Sequence, residues 1–130
     1  MAEKLIPYFT PSWEKANRML YTSPFNSRMK EAIAYVKADR WLEAKDIWLQ
    51  IYDRTNNPKQ QAFLANNFAL AAEMQDDLEL ALDWAKKSEM IFRQEGETKN
   101  KEEIRRITSY ISSLTKRMTD DLLLNNQQRF

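Results

Sequence analysis

Two pairs of adjacent carboxylates, Asp76-Asp77 and Asp120-Asp121, are the first residues of this 130-residue chain to invite a chemical reading. A glycosidase-type reaction needs two carboxyl groups facing each other across a cleft. Neighbours on a helix or turn point in different directions, so these pairs do not meet that need. Chain reversal and capping explain them better, because a carboxylate suits the positive end of a helix. Histidine is absent, which removes the imidazole on which acid–base triads and many metal sites rely. Cysteine is absent too. That excludes thiolate metal sites and disulfides and leaves the redox compartment open. The single glycine, Gly96, provides no phosphate-cradling loop. No catalytic residue, metal or cofactor is expected, and the chain reads as non-enzymatic.

Four tryptophans, Trp13, Trp41, Trp48 and Trp84, could form a platform for a sugar or cofactor. At helical spacing they read instead as packing, with Trp48 in the core and with Trp41, at the hairpin turn, and Trp84, towards the less buried side, each able to be half exposed. Twenty basic residues against 19 acidic ones give a net charge of +1. The nearest approach to a basic stripe, "NKEEIRRITSYISSLTKR", is offset by Glu102 and Glu103, so no nucleic-acid partner is expected. No apolar run reaches the roughly 20 residues that span a bilayer. The opening "MAEKLIPYFTP" lacks the apolar core of a signal peptide, and the chain is read as a piece of a longer one.

The elements that position these residues are helical. One glycine and four prolines are too few for the tight turns of a β protein. Residues 1–26 form an irregular lead-in in which Pro11 can open a short helix carrying Trp13, Ala16, Met19 and Leu20. Met29, Ala32, Ile33 and Val36 mark a helix from about Ser27 to Ala38. Trp41, Ala44, Ile47, Trp48 and Ile51 mark a second, to about Asp53. In "RTNNPKQ", Asn57 can cap a third helix, Pro58 fits its first position and Gln60 can reach back. That helix runs to about Gln75. Asp76 with Glu79 has capping-box spacing for a fourth, which ends near Arg93 with Gly96 just beyond. Ile104, Ile107, Ile111, Leu114 and Met118 form the seam of a long last helix from about Lys99. Leu122, Leu123 and Leu124 cannot all face that seam. They are expected to cover a neighbour's core or to meet another protein, including a second copy of the chain.

Aligning Ala44 with Ala81, 37 residues apart, superposes two helix pairs. Ala32 then matches Ala69, and Asp39-Arg40-Trp41 matches Asp76-Asp77-Leu78. Small residues let the helices of each hairpin approach closely, while Tyr35, Phe68, Trp48 and Leu78 fill what remains. "FALAAEMQDDLELALDWAKKSE" resembles a tetratricopeptide repeat, with Ser88 where that family usually has alanine. "IAYVKADRWLEAKDIW" is a weaker copy. The fold expected is all-α: a short N-terminal helix, two antiparallel tetratricopeptide-like hairpins (27–54 and 57–93) and a long C-terminal capping helix (99–124), forming one domain.

The resemblance implies a non-enzymatic module that binds a protein or peptide segment on a concave surface lined by the first helix of each unit. Carried over by position, that surface comprises Asn26, Met29, Ile33, Val36 and Lys37 in the first unit. The second contributes Phe63, Asn66, Leu70, Glu73 and Met74. Ile33, Lys37, Phe63, Asn66, Leu70 and Glu73 are the expected partner-binding residues. Members that clamp a carboxylate use Lys and Asn in the first unit and Asn in the second. Asn67 fits the last position, but Met29 and Ile33 depart from the first two, so this clamp is not expected. The alternative is a structural or self-associating domain with no open groove, because two units are fewer than an array usually needs. The lead-in, with Trp13 and Phe25, would then fill the concave side. "PYFTPSWEKANRMLY" followed by two such units is also similar to the C-terminal part of an uncharacterised family of Bacteroides-type cell-envelope lipoproteins. That resemblance implies an exported, lipid-anchored parent protein; without it the location would be cytoplasmic.

Overall fold

The computed structural model describes residues 4–7, 18–23 and 25–128. Five helices carry the fold: α1 (Ser27–Lys37), α2 (Trp41–Arg54), α3 (Pro58–Met74), α4 (Leu78–Glu95) and α5 (Lys101–Gln128). Each packs on its neighbour in the chain, as the short connections require. A two-stranded antiparallel ribbon precedes them, β1 (Lys4–Pro7) and β2 (Met19–Thr22), with Leu5 opposite Tyr21 and Ile6 opposite Leu20. The all-α expectation holds, with this ribbon as an addition. The N-terminal helix expected from Pro11 falls largely on residues outside the described ones, Trp13 and Ala16 among them. Its last two positions, Met19 and Leu20, lie in β2 instead.

The repeat is written into the backbone. Asp39 and Asp76 both take positive φ, 60° and 63°, a left-handed conformation that aspartate tolerates better than most non-glycine residues. Each turn closes with the same hydrogen bonds. The Asp39 amide donates to the Val36 carbonyl and the Arg40 amide to Tyr35. One repeat later the Asp76 amide donates to Glu73 and the Asp77 amide to Ala72. This is the helix-ending pattern that satisfies orphan carbonyls. The acidic pair thus has two tasks. Asp76 reverses the chain, and Asp77, rather than Asp76, caps α4 by accepting from the Leu80 amide. Asn57 caps α3 as expected, accepting from the Lys59 and Gln60 amides ahead of Pro58 in the first turn.

Ala32, Ala44, Ala69 and Ala81 are all fully buried, consistent with close helix approach in both hairpins. Ser88 is buried as well, and its hydroxyl donates to the Ala62 carbonyl at 2.7 Å. A serine is therefore accommodated where the repeat usually has alanine, because its polar atom finds an acceptor in the facing helix. Trp48 lies in the core and Trp84 is half-buried; Trp41 is buried rather than half exposed.

The turns make a direct test possible. Asp39→Val forces a β-branched residue into the left-handed region and is expected to cost about 1–2 kcal/mol. Asp39→Gly should cost nothing or stabilise. Denaturant midpoints of the two variants check this.

Candidate functional site

The concave side of the two hairpins is where the resemblance places a bound peptide, and α3 is its centre. Eleven of the 17 residues of α3 are buried, on every face of the helix. A helix apolar all round must be covered all round. Helices α2 and α4 cover part of it, and β2 covers the rest. Strand β2 is held as a strand partner would hold it. The Asn67 side-chain carbonyl accepts from the Tyr21 amide at 2.8 Å, and its amide donates to the Tyr21 carbonyl at 2.9 Å. One buried side chain thus satisfies both polar groups of one residue of main chain, on the edge of β2 that β1 leaves free. Next to it, the Asn66 amide donates to the Met19 carbonyl at 2.6 Å. The Tyr21 ring stacks on Phe63 with centroids 4.8 Å apart, and Phe63 meets the edge of Phe92 at 5.1 Å. An aromatic column therefore runs from β2 through α3 to α4.

Glu73 anchors the other end. Its carboxylate accepts from Arg18, which immediately precedes β2, from the Tyr110 hydroxyl at 2.8 Å and from Arg117 at 3.3 Å. Arg117 also donates to Asp76 at 3.1 Å, and the Arg18 guanidinium lies 5.4 Å from the Tyr110 ring centroid. Two guanidinium groups and two carboxylates balance in charge, and the buried carboxylate has donors on both oxygens, which is what makes its burial tolerable. Burial first, then the charge of Glu73 and its hydrogen bond, hold the Tyr110 phenol well above its usual value; Arg18 and Arg117 pull the other way. The network ties the ribbon, the α3–α4 turn and α5 together.

These contacts correct the expected binding surface. Phe63 is 7 % exposed, Leu70 1 % and Glu73 3 %; all three are interior, with Tyr21 stacked on Phe63 and Arg18, Tyr110 and Arg117 closed over Glu73. Asn66 is engaged with the Met19 main chain. Met29 and Val36 are buried, Ile33 is half-buried against the core, and Asn26 caps α1. Lys37 alone of the six expected residues is exposed. Phe25, expected inside the groove, is 78 % exposed. Trp13 lies outside the described residues. What is left of the groove is a cavity of about 20 Å³ between Met19, Phe63, Asn66, Ser88, Phe92 and Ile107, room for a single water.

A larger cavity, about 280 Å³, opens on the opposite side of α3, between α2 and α4. Trp41, Leu42, Leu49, Leu80 and Trp84 form its walls, Ala71 and Ala72 its floor, and Lys45 and Asp77 its polar margin. Among the described residues, neither of these two cavities is lined by Tyr110 or Glu73. Among the described residues no cluster of carboxylates could hold a metal ion, and no helix is long and apolar enough to cross a membrane.

The profile of one protein family, "Domain of unknown function (DUF6340)", matches residues 30–116, which is about two thirds of the chain. The chain belongs to that family. The match spans α1 to most of α5, so both hairpins and the Glu73–Tyr110 contact fall inside it. No curated protein and no solved structure matches the chain.

Four residues that matter here, Arg18, Tyr21, Tyr110 and Arg117, carry no local pattern that singles them out. The readable signal was α3 itself. "PKQQAFLANNFALAAEM" has no polar face, yet holds Asn67 and Glu73 among apolar residues, and both need partners from elsewhere. Tyr110→Phe should lower stability at neutral pH by about 1.5–3 kcal/mol, since Glu73 loses a donor. An unfolded tyrosine titrates near 10 whereas Tyr110 keeps its proton higher. Its contribution is therefore complete below about pH 10 and is lost as pH rises towards the folded value. Denaturation from pH 7 to 11 should show a smaller alkaline decline in the variant than in the wild type.

Proposed function

We propose that this domain is a non-catalytic helical scaffold whose tetratricopeptide-like groove is filled by its own chain, and which meets partners on its outer surface. The observation that supports this reading is the two-bond grip of Asn67 on Tyr21, with Phe63 and Glu73 engaged on either side. A peptide entering the same groove would have to replace a strand already satisfied in hydrogen bonds, ring stacking and charge. Loss of the hydrogen bonds or of the Arg18–Glu73 contact leaves a buried polar group unpaired. The absence of histidine and cysteine supports a role without bond-making chemistry. On the lipoprotein resemblance, the parent protein sits in the cell envelope, where a rigid helical module would brace or space its neighbours.

The ¹⁵N-labelled domain titrated with pooled eight-residue peptides tests this reading. No saturable shifts are expected at the amides of Phe63, Leu70 or Tyr21 up to millimolar peptide. Saturable shifts there, with release of the β2 amides, would overturn the closed scaffold in favour of a peptide-binding groove.

A further inference from the structure

Of the seven exposed large apolar side chains among the described residues, five lie at one end of the fold, the end of the hairpin turns. Leu42 and Leu80 stand on the first turns of α2 and α4, at the mouth of the 280 Å³ cavity. Leu122, Leu123 and Leu124 stand on α5 beyond Arg117, the residue that reaches the α3–α4 turn through Asp76. From Met118 to Gln128, α5 continues for about 16 Å past that contact at 1.5 Å per residue. The cavity extends from Leu42 to Leu49 along α2, about 10 Å by the same measure. The overhang is thus long enough to lie along its whole opening.

The charges at the two margins match. Asp121, just before the leucines, is half-buried and has no ion pair among the described residues. Lys45 on the cavity wall is also half-buried and also unpaired among them. Asp77, across the cavity, is committed to capping α4, and Asp120 is paired with Lys116.

We propose that two copies of this chain associate by reciprocal exchange. The crest of the Leu122–Leu124 ridge of each, Leu123, seats in the α2–α4 cavity of the other, and Asp121 pairs with Lys45 across the contact. Leu122 and Leu124, about 100° to either side of Leu123 on the helix, rest on Leu42 and Leu80 at the cavity's margins. Exchange of identical elements closes under two-fold symmetry, so the assembly stops at a dimer. Each contact is made twice, which covers all five leucines on both copies and leaves the ends without an apolar patch. The proposal rests on the reading of the domain as a scaffold working through its outer surface. It fails separately from that reading, because a monomer would leave the groove closed and the peptide titration unchanged.

Sedimentation equilibrium tests it. The wild type is expected at twice its 15.5 kDa, and Leu123→Glu and Leu80→Glu should each be monomeric. Both substituted side chains are exposed, and thermal melts should show the fold retained. Lys45→Glu should weaken the dimer at least tenfold in Kd, and adding Asp121→Lys should recover most of that loss. A wild type that stays monomeric to millimolar concentration would overturn the proposal. So would a dimer lost in Leu123→Glu but kept in Leu80→Glu, which would mean that the ridges pair with each other. A charge swap without recovery would remove the Lys45–Asp121 contact and with it the stated geometry.

Discussion

The amide of one asparagine, Asn67, determines what kind of helical repeat protein this is. A bare pair of helical hairpins leaves α3 with an uncovered apolar face. An extended segment can cover that face only if its main-chain polar groups are satisfied at the same time. Strand β2 has β1 on one edge and Asn67 on the other, so the strand is held along both edges and both polar groups of Tyr21 are met by Asn67. The backbone requirement is met by a side chain of the helix being covered. Everything else on that side of the molecule follows: Tyr21 can stack on Phe63, and Arg18 arrives beside Glu73.

The second anchor is electrostatic and has a different character. A buried carboxylate alone would be costly, and a buried ion pair is at best weakly stabilising against an apolar replacement. Its value here is in register. Arg18, Tyr110 and Arg117 approach Glu73 from the segment before β2 and from positions about two turns apart on α5, so a slip of any of these segments strands a charge. Specificity of arrangement, more than added stability, is what such a network supplies, as polar core residues do in some coiled coils.

The helices were legible in the sequence because their signals are local. Asn57-Pro58, the aspartate turns and the seam of α5 each declare themselves within a few residues, and the 37-residue correspondence between Asp39 and Asp76 returns as matched φ values. The ribbon was not legible. Its strands are four residues long, and its position depends on a side chain 46 residues away from Tyr21. The peptide-binding residues inherited from the repeat family were misplaced for the same reason. Position within a repeat says which way Phe63, Asn66, Leu70 and Glu73 point, but not whether the chain itself already lies over them. The apolar perimeter of α3 was the clue within reach, since a helix with no polar face calls for cover on every side.

On the proposed reading the closed groove makes this family member a solid body rather than a clasp, and hydrogen exchange at the Tyr21 amide measures that closure directly. With its proton given to Asn67, this amide should exchange only through global unfolding, as slowly as the central amides of α3. Exchange of the Tyr21 amide orders of magnitude faster than those of α3 would mean that the strand leaves while the helices stay folded, and the account of a filled groove would be wrong.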